Sequence, residues 1–169
     1  LINDTLRLSE LDSNDGDLLM EDVDLYDVAS NCVNMLTLHA EENDVKFHLK
    51  GSGTHVKGSH SMIEELVYNL CDNAIRYNRE GGNIWVVVDP EDHSILVSDD
   101  GIGISEENQS RIFERFYRVD KSRSRKTGST GLGLAIVKHI AEQHGAKIEL
   151  TSAENVGTTI KVIFPDPDK

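Results

Sequence analysis

Two side-chain amides, Asn69 and Asn73, stand four residues apart in the stretch MIEELVYNLCDNAIRYN, and Arg76 and Tyr77 follow on the next turn. At about 100° per residue these four share one helical stripe, which overlaps the angle of Met62 and Leu66 on the apolar side. A buried amide without a partner costs about 1–3 kcal/mol, so main chain, water, a ligand or a metal must satisfy the pair. Two amides with a cation and an aromatic on the next turn favour a ligand or metal. Amide oxygen is a hard neutral donor suited to Mg2+, which takes few protein ligands and completes its shell with phosphate oxygens and water.

Three further constellations carry chemistry. In VSDDGIGI a strand ends at Asp99, and Gly101 and Gly103 follow. A carboxylate fixed there accepts a hydrogen bond from an amino group, and the glycines let main chain approach a planar ring. Adenine offers that amine; guanine places a carbonyl there and is repelled. Taken alone, the pattern also fits a plain glycine turn. The run RIFERFYRVDKSRSRK holds seven basic and two acidic residues. Its arginines suit bidentate contact with phosphate, Phe113 reads as the core anchor of a loop, and on charge alone the run also fits a solvated loop. Last, TGSTGLGLAIVKHI is a glycine-rich turn entering a helix. Its spacing is not GxxxxGK[ST] and no strand precedes it, so neither a Walker-type loop nor a dinucleotide fingerprint applies. What remains is a helix N-terminus with free N–H groups and a positive dipole end beside a cationic loop, ready for phosphate.

The elements that must position these groups follow from periodicity. Asp24 can cap a helix over 25–43 with Val28, Cys32, Met35, Leu36 and His39 on one face. Segments 45–49 and 54–57 read as short strands separated by Gly51 and Gly53. Ser59 or Ser61 caps the helix that carries the amides. Segments 84–89 and 94–99 form a hairpin, 106–113 a short helix, 131–144 a helix ending at Gly145, and 147–151 with 158–164 a closing hairpin. Residues 114–130 show no regular period, which at that length points to a functional loop. Strand pairs joined by tight turns favour helices layered on one face of a sheet, an α+β arrangement.

Composition narrows the function classes. The chain has 169 residues, a formal net charge of −13 and 38% hydrophobic residues, so one ordinary domain with a real core is expected. Excess acid opposes general binding of nucleic acid or anionic membranes. The imbalance is local, however: residues 1–44 carry twelve acidic side chains and a single basic one, Arg7, so the 111–126 run is a cationic island. No run of about 18 apolar residues and no charged segment leading into an apolar stretch occurs, so neither a membrane span nor a signal peptide is expected. Cys32 and Cys71 fit small core hydrophobes better than a disulfide or zinc framework.

In order along the chain, NLxxNAxxY, DxGxG, FERFYR and GxGLGL resemble the N, G1, F and G2 boxes of the bacterial sensor histidine kinases, within the ATPase superfamily that also holds gyrase, Hsp90 and MutL. NAIRYN and FERFYRVDKSRSRKTG are most similar to the phosphate-regulon type of sensor kinase. LINDTLRLSELDS resembles the end of the second helix of the family's dimerisation and phosphoacceptor domain. The likeness thus divides the chain into residues 1–19, the end of that helix and a linker, and residues 20–169, the catalytic ATP-binding domain. The implied fold is α+β, a two-layer sandwich whose mixed sheet of about five strands is covered on one face by three helices, the Bergerat ATP-binding fold.

By the same resemblance Asn73 coordinates Mg2+, Asn69 supports the phosphates of ATP, and Arg76 reaches a phosphate. Tyr77 stacks on adenine, and Asp99 binds its exocyclic amine. Gly101, Gly103 and Ile104 belong to the ring pocket, Arg118 and Lys121 to the phosphate side, and Thr130, Gly131, Leu132, Gly133 and Leu134 supply backbone donors. Asn69 and Arg118 are the implied catalytic pair, and residues 114–130 correspond to the ATP lid. Ser129 departs from the relatives' second glycine (GGTGLGL), leaving Gly131 and Gly133 intact.

ATP-hydrolysing relatives place a Glu one turn before the Mg2+ asparagine to activate water. Asn69 stands there instead, and an amide cannot act as a general base, so rapid hydrolysis is disfavoured. Phosphoryl transfer depends on positioning and charge neutralisation, which Mg2+, Arg118 and a helix terminus can provide. None of the seven histidines is followed by Glu or Asp as the family's acceptor box requires, so the acceptor lies on another domain. The implied partners are the phosphoacceptor histidine domain of the same protein and a downstream response regulator. The intact protein is implied to be a homodimer and a membrane-anchored sensor with this domain in the cytoplasm, the isolated chain a monomer. A nucleotide-sensing regulatory module without phosphoryl transfer is the alternative reading; an anti-sigma-like serine kinase is weakened by Asn69 at its base position.

Overall fold

The computed structural model describes residues 20–114 and 133–168. Strand β1 (Glu21–Asp24) leads directly into helix α1 (Leu25–Glu42). Asp24 caps that helix: its Oδ1 accepts from the N–H groups of Tyr26 and Thr54, both at 3.0 Å. This satisfies an otherwise orphaned first-turn donor. Leu25, Val28, Ala29, Cys32, Leu36 and Ala40 form the buried stripe of α1. Met35, expected on that face, is instead 53% exposed. Leu36 takes the core position, and the 100° step turns Met35 outward.

Strands β2 (Val45–Gly51) and β3 (His55–Gly58) come next, then helix α2 (His60–Arg76) and strands β4 (Gly82–Asp89) and β5 (Ser94–Asp99). A short helix α3 (Glu106–Gln109), helix α4 (Gly133–Gln143), and strands β6 (Lys147–Ala153) and β7 (Gly157–Ile163) complete the described order. Only four residues of the segment 106–113 are helical. The main sheet runs β2-β4-β5-β7-β6, with β2 parallel to β4 and the remaining pairs antiparallel. Five mixed strands bearing α1, α2 and α4 match the expected α+β architecture. One feature was not anticipated: β3 leaves the main sheet and pairs antiparallel with β1, Glu21 opposite Gly58 through Asp24 opposite His55.

Across the sheet, Val86, Val97 and Ile160 form one buried row and Val88, Ile95 and Val162 the next. Strand alternation puts both rows on the helix side, with α2 between α1 and α4. Cys32 and Cys71 are buried in this core, and burial raises both thiol pKa values, that of Cys32 to about 12. They are unreactive core residues.

His144, past the end of α4, joins two helices. Its Nδ1–H donates to the Ile140 carbonyl at 2.8 Å, and its Nε2 accepts from the N–H of Ser59, the N-cap of α2, at 3.1 Å. An N–H donor opposite Nε2 requires the neutral ring, and burial lowers its pKa below the ordinary 6.5. The unfolded chain therefore takes up a proton that the folded state resists, so stability is present above pH 6.5 and is lost as pH falls below it. Protonating Nε2 would set two donors face to face, at a cost of about 1–3 kcal/mol. We expect the thermal midpoint to fall between pH 7 and pH 5. His144→Gln, which keeps an acceptor but cannot titrate, should flatten that fall in melting curves; an equal fall in the variant rules out this role.

Candidate functional site

Helix α2 begins at Ser59, whose Oγ accepts from the Met62 N–H at 3.4 Å, and ends against Tyr77. Its buried face is centred on Ile63, Val67, Leu70 and Ala74. Asn69 and Asn73 lie roughly 100° around the helix from that centre and are half-buried. The expectation that they interrupt the core is therefore corrected: they stand on its rim. Among the described residues neither carboxamide has a hydrogen-bond partner, and neither holds a fully buried unsatisfied atom. Main chain does not satisfy them. A Cβ built on Gly133, the first residue of α4, would lie 3.9 Å from Asn69 Oδ1, so the glycine faces that amide.

Arg76 is held on its own helix, its Nε donating to Asp72 Oδ2 at 2.9 Å; the other Asp72 oxygen lies 3.6 Å from His39 Nε2. Tyr77 is half-buried, and its carbonyl accepts from the Ile102 N–H at 3.1 Å. That bond ties the end of the amide-bearing helix to the loop after β5.

Asp99 is half-buried, and strand alternation turns it inward. Ile95, Val97 and Asp99 point the same way, and register places Asp99 opposite Ile84 of β4 and Thr158 of β7. The carboxylate thus faces the helix layer at the end of its strand. Its Oδ1 accepts from the Gly101 N–H at 2.9 Å, and the Thr158 N–H also donates to the side chain. Burial pushes the carboxyl up from 3.8 to about 6, with Asp100 adding to the rise and the two main-chain donors and Arg79 opposing it.

The glycines of this loop have a nearer reason than a planar ligand. A Cβ on Gly101 would strike the Tyr77 carbonyl, and Gly103, at φ +70°, leaves no room before the Ala153 carbonyl. The close approach they permit is to the protein's own main chain. Ile104 follows, its N–H donating to Ser152 Oγ at 2.8 Å and its carbonyl accepting from Gln109 Nε2 at 2.9 Å. Leu134 packs against the core from the first turn of α4.

The structure therefore brings Asn73, Tyr77, Asp99, Gly101 and Gly103 to one end of the α2–β5 layer, with Asn69 beside Gly133. Arg118, Lys121, Thr130, Gly131, Leu132 and the segment 1–19 lie outside the described residues. Sequence reasoning missed several supporting groups. Buried Asn78 donates to the Asn83 carbonyl at 3.2 Å and accepts from the Arg79 N–H at 2.8 Å. Asn83 gives Asp100 two bonds, 2.7 Å from its N–H and 3.0 Å from its amide, and His48 Nε2 lies 2.9 Å from Asn83 Oδ1. Asn78, Arg79 and Asn83 fall within NREGGN, where a polar stretch without period signals only a turn.

Among the described residues no cluster of three His, Cys, Asp or Glu is arranged to hold a metal, and no helix is long and apolar enough to cross a membrane. The unengaged carboxamides of Asn69 and Asn73 offer neutral amide oxygens of the kind a hard cation accepts.

Comparison with known proteins adds the lineage. Residues 58–168 match the family described as histidine kinase-, DNA gyrase B-, and HSP90-like ATPase. The chain is 36% identical to the sensor histidine kinase WalK of Bacillus subtilis, over 98% of its own length and 28% of that protein. It is 35% identical to the sensor-like histidine kinase SenX3 of Mycolicibacterium smegmatis, over 99% of its length and 45% of that protein. The chain thus spans less than half the length of these relatives. Among solved structures, the mycobacterial sensor histidine kinase MprB superimposes with a TM-score of 0.76 at 27% identity, covering 87% of this chain and 97% of that one.

Proposed function

We propose, from the premise that this chain belongs to the histidine kinase-, DNA gyrase B-, and HSP90-like ATPase family, that it is the ATP-binding catalytic domain of a sensor histidine kinase. It takes ATP and transfers the γ-phosphoryl group to a histidine on the phosphoacceptor domain of the same protein. The observation that carries this reading is the Tyr77 carbonyl–Ile102 N–H bond at 3.1 Å, which locks the helix bearing the two free amides to the loop beyond the half-buried Asp99.

Each residue then has a role. Asp99 accepts the exocyclic amine of adenine, and its main-chain donors fix the carboxylate in place. Tyr77 covers the ring. Asn73, with Asn69 beside it, would hold Mg2+, which when bound neutralises phosphate charge. Arg76, released from Asp72, adds a cation at the phosphates. Arg118 and Lys121, with the main-chain donors of Thr130, Gly131, Leu132, Gly133 and Leu134, complete the phosphate side, where in-line transfer needs charge stabilisation more than a protein base. Asn69 cannot abstract a proton from water, which favours transfer over hydrolysis.

Residues 1–19 are the end of a phosphoacceptor-domain helix and residues 20–169 the catalytic domain. The whole protein is a dimeric, membrane-anchored sensor that passes its phosphoryl group to a response regulator. In the test, the purified chain should bind ATP more tightly than GTP and take up no label from γ-labelled ATP by itself. Mixed with a phosphoacceptor domain of its own protein, it should label that domain's histidine. Strong self-labelling, or bound ATP that stays inert with the acceptor present, overturns the reading.

A further inference from the structure

We propose that Arg79 is a positioning residue for base recognition: it grips the peptide that aims Asp99 and so holds the adenine-reading carboxylate in its binding orientation. The proposal rests on the role of Asp99 given above. Arg79 stands three residues past the end of α2. Its Nη2 donates to the Gly101 carbonyl at 2.7 Å and to the Asn155 carbonyl at 3.1 Å. Gly101 is the residue whose N–H donates to Asp99 Oδ1 at 2.9 Å. One glycine is thus held on both sides, by the guanidinium at its carbonyl and by the carboxylate at its N–H.

The second bond draws in the β6–β7 turn. Asn155 sits there at φ +64°, and its N–H donates to the Ile102 carbonyl at 2.7 Å. Gly157, two residues on, lies so close to the Asp99 carbonyl that a Cβ would collide with it. Arg79 therefore closes three segments around Asp99: the end of α2, the loop 100–103 and the β6–β7 turn.

The arginine's charge also acts on the site. The groups that face Asp99 are Arg79, Asp100 and the main-chain donors of Gly101 and Thr158. Both oxygens of Asp100 are engaged by Asn83. Arg79 commits its Nη2 to two carbonyls, and its positive charge favours the ionised form of Asp99, opposing Asp100. Arg79 is exposed, so solvent weakens this influence, while the two short bonds to carbonyls set the geometry.

The experiment measures ADP affinity by calorimetry from pH 5 to pH 8 for the chain and for Arg79→Ala, Arg79→Gln, Arg79→Lys and Asp99→Asn, with a thermal melt of each. In the unaltered chain, affinity should fall as pH drops through about 6, where Asp99 takes up a proton. Arg79→Ala should weaken ADP about tenfold at pH 8, the equivalent of one charge-assisted hydrogen bond, and move the pH midpoint upward. Arg79→Lys should return the midpoint toward that of the unaltered chain, whereas Arg79→Gln, a donor without charge, should keep it raised. A loss of packing alone would weaken every variant without separating Lys from Gln, and that pair decides the matter if Arg79→Ala does not fold. If Asp99→Asn weakens ADP while the Arg79 variants match the unaltered chain in affinity and midpoint, the brace is wrong and the nucleotide reading stands. If Asp99→Asn leaves ADP affinity unchanged, both fail.

Discussion

Asp99→Asn should weaken adenine-nucleotide binding by roughly 10- to 100-fold and, in the empty protein, raise stability. The two effects share one cause. Oδ1 of Asp99 already accepts from the Gly101 N–H. An asparagine in the same pocket must keep its oxygen toward that donor, which turns its NH2 toward the ligand. Donor then meets donor at the adenine amine, and loss of a hydrogen bond to a charged acceptor alone is worth about 1.5–3 kcal/mol. GTP binding should change far less. Stability moves the other way because the fold holds the carboxyl at about 6 against an ordinary 3.8. A raised carboxyl pKa favours the fold below pH 4, and that advantage is lost as pH rises through 6, at a cost on the order of 2–3 kcal/mol at neutral pH. Removing the charge should recover part of this, a rise of a few degrees in the melting midpoint at pH 7.5 that disappears near pH 4. Calorimetry with ATP and GTP, paired with melts at both pH values, checks it; equal ATP affinity, or a melting gain independent of pH, removes the assignment.

Asn73→Ala should abolish the Mg2+-dependent component of ATP affinity and leave the metal-free component in place. Its carboxamide has no protein partner among the described residues and is half-buried on the rim of α2, so truncation leaves no orphaned donor and no core cavity. The melting midpoint should therefore shift by little. With excess Mg2+ the affinity should drop at least about tenfold, because amide oxygen is the hard donor the site supplies. In EDTA, variant and parent should bind alike. Titrations with and without Mg2+ decide it: a variant that still responds fully to the metal would place the cation elsewhere.

Much of the arrangement was legible because it rests on short-range rules. The Asp24 cap, the α2 boundaries at Ser59 and Tyr77, and the 84–89/94–99 hairpin follow from capping and alternation. The same alternation that buries Ile95 and Val97 makes Asp99 an inward carboxylate, visible without coordinates. Two matters were not legible. The first is partner choice: β3 reads as a strand, but its pairing with β1 instead of β2 is decided by the Asp24 side chain bonding Thr54 across 30 residues, and no local pattern encodes that. The second is how far a polar stripe is buried. Periodicity placed Asn69 and Asn73 beside Met62 and Leu66, yet the buried face centres on Ile63, Val67, Leu70 and Ala74 because both α1 and α4 pack there. Arg79 and Asn83 left no trace, since turn residues acquire their roles from segments 17 to 76 positions away.

The β1–β3 ribbon has a mechanical side. Four residue pairs join the strand that receives the chain from residue 20 to the strand that ends at the N-cap of α2, and Glu21 Oε1 also accepts from the His60 N–H at 3.0 Å. The pairing is antiparallel and sets Glu21 opposite Gly58, so a tug at residue 20 acts first on the pair nearest the start of that helix. Traction arriving through residue 20 would thereby reach the start of the helix that carries both asparagines, which makes the ribbon a handle on that helix.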